Sequence, residues 1–356
     1  MKRQVKIGAL TIGGGSPVRV ESMLKAPLSS REKCLEQCER LLSEGCELAR
    51  VALPEAELTD SLAWLARHTS LPLMADIHFD PEIAVAAIRG GCSSIRINPG
   101  NMPLRKLTEM ICVAKDLGVV IRIGANGGSL SARHWKTSES SASGGDAPKG
   151  DRAQALFRAV KEQAELLLEH DFQDIVLSAK SSSVRDTVRA NVFIAHAYPD
   201  LPLHIGVTEA GPGDSGIVKS TAGIGILLGQ GIGDTLRVSL TDEPEREVRV
   251  GYEILKALGL RSRGVNLISC PTCGRRRADV ASLVKLIEPM LPGLLDGMTV
   301  AVMGCEVNGP KEAKEAHLGI AGTPVGAVLF KEGTVLGEYP FEDLPKVLPS
   351  FFGGEK

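Results

Sequence analysis

The fold is decided by the stretch from Pro72 to Asn126, where three short apolar runs alternate with segments of helical length. The runs are PLMADIH (72–78), SIRINP (94–99) and VVIRIGAN (119–126). Each is short enough for a buried strand, and each carries charged or amide side chains two or four residues apart. The pattern predicts parallel strands joined by helices, with polar groups on one face of each strand.

The same alternation continues on both sides of this stretch. Amphipathic segments of helical spacing include Ser30–Glu44, Leu156–His170 and Pro244–Leu258. Eight strand–helix repeats favour an α/β fold with a (β/α)8 TIM-type barrel over residues 1–260, and an open doubly wound sheet is the alternative. The further strand candidates are Pro17–Ser22, Leu48–Leu53, Asp174–Lys180, Pro202–Ala210 and Thr235–Leu240.

Two segments outside this repeat also have a predicted structure. Val5–Leu10 and Pro17–Ser22 flank three glycines and predict a hairpin over the barrel floor. After a linker at residues 261–264, residues 261–356 predict a small α/β domain with one helix at Val280–Leu291. Its strand candidates are Val265–Ile268, Met298–Met303 and Gly326–Phe330.

Composition excludes several classes of protein. The 356 residues carry a net charge of −2 and only 4% aromatic residues, which argues against a nucleic-acid-binding surface. No apolar run is long enough to span a bilayer, and the start lacks the pattern of a signal peptide. We therefore expect no membrane partner and a cytoplasmic location, where the eight cysteines are thiols or metal ligands rather than disulfides.

Polar residues recur where the predicted strands end, at the barrel mouth that holds active sites in this fold. The cations among them are opposed only by Asp76 and Glu209, so the mouth suits an anion such as a diphosphate. The cations are Arg50, Arg96, Arg122, Lys180 and Arg237, and the remaining candidates are His78, Asn98, Asn126, Ser178 and Ser239.

Three cysteines lie in matching strand–loop settings in the second domain. Cys270 and Cys273 form a CxxC pair, and Cys305 follows the next predicted strand. Three thiolates with a fourth ligand fit either a zinc site or an iron–sulfur cluster. Candidates for the fourth ligand are Glu306, Glu312 and His317, and spacing leaves the metal open. The other five cysteines are predicted to pack in the core.

Seven ordered motifs resemble those of the bacterial 4-hydroxy-3-methylbut-2-enyl diphosphate synthases of the non-mevalonate isoprenoid pathway. The resemblance covers about residues 5–337. One departure is Lys311, where the family usually has glycine. The motifs are ADIHFD (75–80), RINPGN (96–101), RIGAN (122–126), TEAG (208–211), GIGDTLRVS (231–239), CPTCGR (270–275) and CEVNGP (305–310).

The resemblance implies a barrel followed by a domain carrying a 4Fe–4S cluster on Cys270, Cys273, Cys305 and Glu312. It implies reductive ring opening of 2-C-methyl-D-erythritol 2,4-cyclodiphosphate with loss of water. It also implies ferredoxin or flavodoxin as electron donor and a head-to-tail homodimer. Within that reaction we expect Glu209 to be the acid and Asn308 to contact substrate beside the cluster.

Two other classes of function remain open at this stage. One is a zinc-dependent TIM-barrel lyase or methyltransferase acting on a phosphorylated or pterin-like substrate. The other is a non-catalytic binding protein stabilised by a metal, which the convergent charges at the barrel mouth make the weakest.

Overall fold

The computed structural model describes residues 2–77, 80–97, 107–135, 151–306, 311 and 313–353. The chain forms two compact units, Met1–Leu260 and Arg261–Lys356. Within the described residues, no helix has both the length and the apolar character needed to cross a bilayer.

The first unit is a parallel barrel, so the open-sheet alternative is wrong. Its strands lie in the order β8-β7-β6-β5-β4-β3-β10-β9, and a single parallel bridge between Leu177 and Leu203 joins β8 to β9. Parallel strands need helical crossovers, which the alternating sequence supplies. The strands are β3 (Arg19–Met23), β4 (Leu48–Ala52), β5 (Leu73–Ile77), β6 (Ser94–Ile97), β7 (Val120–Asn126), β8 (Ile175–Lys180), β9 (His204–Ile205) and β10 (Thr235–Leu236).

Nine helices of the described barrel residues accompany these strands. Several begin at sequence-encoded caps: the Asp80 carboxylate accepts a hydrogen bond from the Glu82 amide at 2.8 Å, and Pro81 occupies the first helical turn. They are α1 (Arg31–Ser43), α2 (Thr59–His68), α3 (Pro81–Arg89), α4 (Leu107–Leu117), α5 (Ala132–Trp135), α6 (Arg152–Glu169), α7 (Val184–Ala197), α8 (Gly213–Leu228) and α9 (Pro244–Ala257).

An N-terminal hairpin closes the floor of the barrel, as predicted, but with different strands. The antiparallel pair is β1 (Gln4–Ile7) with β2 (Leu10–Gly13), whereas the predicted second strand, Pro17–Ser22, is mostly part of barrel strand β3. A two-residue turn at Gly8 (φ 60°) joins them. The hairpin residues and the first inward residues of four barrel strands form one apolar cluster: Val5, Ile7, Ile12, Leu48, Met74, Val120 and Val176.

The second unit is a five-stranded mixed sheet. Its order is β11-β12-β13-β14-β15, parallel through the first three strands and antiparallel through the last three. The sequence prediction missed two of the strands, β13 and β15. The elements are β11 (Asn266–Ser269), α10 (Val280–Ile287), β12 (Thr299–Met303), β13 (Leu318–Gly322), β14 (Gly326–Lys331), β15 (Thr334–Pro340) and α11 (Leu344–Gly353).

Candidate active site and thiolate edge

Charged side chains, together with one histidine, fill the upper half of the barrel interior. Because Leu48, Met74, Val120 and Val176 face the floor hairpin, residues two and four further along each strand also point inward. TIM-barrel interiors are usually filled by branched apolar residues, so a charged layer is a departure that favours ligand binding. Its members are Glu21, Arg50, Asp76, Arg96, Arg122, Lys180, His204 and Arg237.

Asp76 links two of the predicted cations. Its carboxylate accepts a hydrogen bond from Arg96 at 2.8 Å and lies 3.4 Å from the Nε of Arg50. The other terminal nitrogen of Arg96 donates to the carbonyl of Gly124 at 3.1 Å. A Cβ at Gly124 would lie 2.8 Å from Arg96 Nε, so this position leaves no room for a side chain. Asp76 therefore orients the arginines, and the structure brings all three together.

Arg122 is paired deep inside the barrel with an acid that the sequence prediction missed. Its two terminal nitrogens donate to the two carboxylate oxygens of Glu21, at 2.5 and 2.8 Å, and both side chains are fully buried. Burial raises the pKa of Glu21, but Arg122 and then Arg50 and Lys180 outweigh it and hold that pKa below its usual value. Glu21 is thus an ionised carboxylate beneath the mouth.

Lys180 lies next to His204. Their side-chain nitrogens, Nζ and Nε2, are 2.7 Å apart, and His204 Nδ1 lies 3.6 Å from a Glu21 oxygen and 3.3 Å from the Thr235 hydroxyl. Burial, followed by the nearby cations, moves the pKa of both Lys180 and His204 well below its ordinary value. His204 is therefore neutral at pH 7, with Nε2 accepting from Lys180.

This arrangement predicts a stability that falls with acid. Below pH 6.5 His204 becomes protonated in the unfolded chain but stays neutral in the folded barrel. The free energy of unfolding therefore falls as the pH falls. We expect His204 to account for about 1.4 kcal/mol of the loss in unfolding free energy between pH 7.5 and 5.5. Urea titrations followed by the fluorescence of Trp64 and Trp135 at both pH values measure it. His204→Gln should show a smaller loss, and an equal loss would contradict the assignment.

Arg237 completes the ring of cations. Its guanidinium lies 3.4 Å from the carboxylate of Glu247 on α9, and Arg237 and Arg50 share the sulfur of Met23 at 3.7 and 3.0 Å. Glu247 also accepts a hydrogen bond from the Leu240 amide at 2.9 Å. The acid of the following helix therefore positions a cation of the mouth.

These contacts correct the predicted charge balance. The barrel cations face Glu21, Asp76 and Glu247 rather than Asp76 and Glu209 alone, because β3 and α9 each contribute a buried acid. Five cations still exceed three acids, so the interior remains suited to an anion. The sequence did contain a signal for Glu21: it is a charged residue inside a predicted strand, two residues after Arg19 in RVESM (19–23).

Glu209 is placed apart from the buried layer. It is exposed, and its backbone φ of 52° falls in the left-handed region that few non-glycine residues adopt. Such a conformation costs about 1 kcal/mol or more and tends to occur at functional sites.

Asn126 pairs in register with Lys180, and both Asn126 and Ser239 are half-buried. His78, Asn98, Asn308 and Glu312 lie outside the described residues.

The three predicted ligand cysteines lie in loops at one edge of the second unit's sheet, which we call the thiolate edge. Cys270 follows β11 and Cys305 follows β12, the neighbouring parallel strand, and the Cys270 amide donates to Val302 at 2.9 Å. Cys273 is exposed and the other two are half-buried, and all three are thiols rather than members of disulfides. Gly304 lies close to both Val280 and Cys270: a Cβ there would lie 3.2 Å from the Cγ2 of Val280 and 3.9 Å from the Cys270 sulfur.

The structure removes one of the three candidates for the fourth ligand from this edge. His317 pairs with Thr299, at the start of β12, where its Nδ1 accepts from the Thr299 amide at 3.0 Å. The five residues of β12 span roughly 16 Å, so His317 lies at the opposite edge from the thiols. Among the described residues no three His, Cys, Asp or Glu gather around one ion. Three soft thiolates in adjacent loops remain, and such ligands suit both zinc and iron–sulfur clusters.

The other five cysteines mostly pack in the barrel, as expected. Burial raises the pKa of Cys38, Cys46 and Cys92 to about 12, and that of Cys34 to about 11, so these thiols stay protonated and unreactive. Cys112 differs: it is exposed on α4, because its position faces away from the barrel.

The fold and these two regions define a class: a TIM-barrel enzyme with a cationic mouth and a second unit that carries three cysteine thiols at one edge of its sheet. Residues 2–252 match the GcpE TIM-barrel domain and residues 266–351 match the GcpE protein C-terminal domain. The chain belongs to the GcpE family.

Similar proteins agree with this membership. A 4-hydroxy-3-methylbut-2-en-1-yl diphosphate synthase (flavodoxin) of Desulfotalea psychrophila is 44% identical over 97% of this chain and 93% of its own. The enzyme of the same name from Caldanaerobacter subterraneus subsp. tengcongensis is 44% identical over 94% and 92%. A dihydropteroate synthase structure from Xanthomonas albilineans has 14% identity and a TM-score of 0.50, covering 73% of this chain and 99% of its own, which shows the barrel fold alone.

Proposed function

We propose that this chain is an iron–sulfur oxidoreductase that opens 2-C-methyl-D-erythritol 2,4-cyclodiphosphate to 4-hydroxy-3-methylbut-2-enyl diphosphate. The reaction takes up two electrons and two protons and releases one water. The observation that carries the proposal is family membership over nearly the whole chain, with relatives named for this synthase. The cationic barrel interior supports a substrate with two phosphates.

The barrel residues would bind and orient the cyclic diphosphate. Arginine suits phosphate because its guanidinium can donate two parallel hydrogen bonds, and Asp76, Glu21 and Glu247 fix where those donors point. The cations assigned to the phosphates are Arg50, Arg96, Arg122, Lys180 and Arg237. The hydrogen-bonding residues assigned to the substrate are Asp76, His78, Asn98, Asn126, Ser239 and Asn308.

The thiolate edge would hold the cofactor. Cys270, Cys273 and Cys305, together with Glu312, would be the ligands of a 4Fe–4S cluster. When bound, such a cluster supplies electrons to the substrate one at a time. The names of the relatives support flavodoxin as the electron donor, and ferredoxin is the other candidate. We further propose a head-to-tail homodimer in the cytoplasm, in which one subunit's cluster domain caps the barrel mouth of the other.

Glu209 is proposed as the acid that protonates the leaving hydroxyl. Its exposure and left-handed backbone keep its carboxyl outside the ion-paired layer, where a proton can be exchanged with solvent. We expect Glu209→Gln to lower kcat by about 100-fold or more while the KM for the cyclic diphosphate changes little, because the amide cannot donate an acidic proton. Anaerobic steady-state kinetics measure both constants.

Glu169→Gln, an exposed carboxylate at the end of α6, is the matched control and should keep wild-type kinetics. If Glu209→Gln retained full kcat, another acid would have to serve.

The proposed function is tested by anaerobic purification and reconstitution. We expect a brown protein with about four irons and four sulfides per chain, and turnover of the cyclic diphosphate when reduced methyl viologen supplies electrons. A colourless protein that binds one zinc, and neither iron nor sulfide, would overturn the proposal in favour of the zinc-dependent alternative.

A further inference from the structure

A run of three arginines begins two residues after Cys273, the second cysteine of the CxxC pair at the thiolate edge. Arg275, Arg276 and Arg277 are all exposed. From Arg261 to Lys356 the sequence has eleven Lys and Arg and eleven Asp and Glu, so the unit carries no excess charge. Three adjacent cations are therefore a local concentration of charge, which we call the arginine run.

The backbone of the arginine run is fixed against both cysteine loops. The Arg276 amide donates to the Cys273 carbonyl at 3.0 Å, and the Arg277 amide donates to the Gly304 carbonyl at 2.7 Å. Ala278 then packs against Gly322 at the end of β13, a position where any side chain would collide with it. The charges are thus held beside the thiols by a rigid backbone rather than by a free loop.

The guanidinium groups of the run have little to pair with inside their own unit. Within the described part of the chain, none of the three takes part in an ion pair or a side-chain hydrogen bond. The nearest acid in sequence, Asp279, interacts electrostatically with Arg276 without forming an ion pair. Its carboxylate caps α10, where it accepts from the Ala281 amide at 3.1 Å and the Ser282 hydroxyl at 2.7 Å. The positive charge of the run is consequently presented to solvent.

Two exposed apolar side chains lie at the same edge of the sheet. Val325, in the turn between β13 and β14, is 70% exposed, and Phe341, just after β15, is 42% exposed. The register places both beyond the strand ends that pair with the edge carrying Cys305, because Met303 pairs with Ala321 and Gly326 with Pro340. Apolar groups beside a charged rim are the composition of protein–protein interfaces.

We propose that the arginine run, with Val325 and Phe341, is the docking surface for an acidic electron-carrier protein. The inference rests on the proposed function, because it assigns the surface through which the thiolate-edge cofactor is reduced. Each encounter would oxidise the carrier by one electron and reduce the enzyme by one, so two encounters supply one turnover. Charge complementarity at such a surface accelerates encounter and makes it sensitive to salt.

The test compares two triple variants of the reconstituted holoenzyme. One removes the run (Arg275→Gln, Arg276→Gln, Arg277→Gln). The matched control removes three exposed cations at the opposite edge of the same sheet (Arg263→Gln, Lys314→Gln, Lys331→Gln). Calorimetry measures binding of a purified flavodoxin at 50 and 300 mM salt. Turnover is measured with reduced flavodoxin and, separately, with reduced methyl viologen, which needs no docking surface.

We expect the run variant to bind flavodoxin about tenfold more weakly at low salt, with a flatter salt dependence, and to keep viologen-driven turnover and iron content. The control should match the wild type. Any of four results would overturn the proposal. They are equal weakening of flavodoxin binding in both variants, unchanged binding in the run variant, an altered oligomeric state of the run variant, or a parallel loss of its viologen-driven turnover. The last result would assign the run to the substrate.

The flavodoxin-binding measurement distinguishes a failure of this proposal from a failure of the proposed function. Failure of the wild type to turn over the cyclic diphosphate with viologen would refute the function. Failure of charge removal to weaken flavodoxin binding would refute the docking surface.

Discussion

Replacing Cys270 with serine is expected to abolish iron binding and leave the barrel folded. A serine hydroxyl is not ionised at neutral pH, so a soft ligand is lost from the thiolate edge. The change lies wholly in the second unit, and the backbone bond from residue 270 to Val302 does not involve the sulfur. Iron and sulfide per chain should fall from about four each to near zero. The urea midpoint reported by Trp64 and Trp135, both in the barrel unit, should stay at the wild-type value.

Cys112→Ser is the matched control, because Cys112 is an exposed thiol on α4 in the barrel unit. It should retain full iron and sulfide. Full iron in Cys270→Ser would refute the assignment of Cys270 as a ligand, and iron lost from both variants would show that the effect is not specific to the thiolate edge.

Arg122→Ala is expected to destabilise the barrel as well as to impair the enzyme. The sequence predicts that Arg122 binds phosphate, so that its loss raises the KM for the substrate or lowers kcat/KM by an amount worth about 2–4 kcal/mol. The structure adds that the substitution leaves Glu21 as a buried carboxylate without its bidentate partner. Breaking a buried pair in this way costs about 3–5 kcal/mol, a large share of the stability of most domains. Urea unfolding without substrate measures it.

The double variant Glu21→Gln, Arg122→Met separates pairing from packing. It removes both charges and keeps similar volumes, so most of the lost stability should return while turnover stays low. An unfolding midpoint of Arg122→Ala equal to that of the wild type would show that Glu21 does not depend on Arg122.

Strong periodicity made most of the barrel predictable. The runs 94–99 and 119–126 became β6 and β7 with boundaries shifted by two residues or fewer. The predicted strands were too long where the observed pairing is short. Only two residues of regular strand lie in each of the predicted strands Pro202–Ala210 and Thr235–Leu240. Their remaining residues lie outside regular strand, because the barrel closes there through only a few backbone pairings.

The second unit was harder to predict. β13 has the sequence LGIAG (318–322), whose glycines lower strand propensity, and β15 is a largely exposed outer strand without an apolar alternation. Neither segment has a local sequence pattern that indicates a strand. Both are strands because they pair with β14. The same limit applies to Glu21: its sequence neighbours do not reveal that Arg122, about one hundred positions away, lies opposite it across the barrel.

The floor hairpin has a consequence for how the chain is made. Its residues are synthesised before the barrel strands that they contact: two of the side chains they pack against, Val120 and Val176, follow more than a hundred residues later. Contacts of such sequence separation form late, since the intervening chain must be ordered before they stabilise anything. The two hairpin strands therefore dock only after these later barrel strands have been made, and until then Val5, Ile7 and Ile12 stay exposed and can bind chaperones.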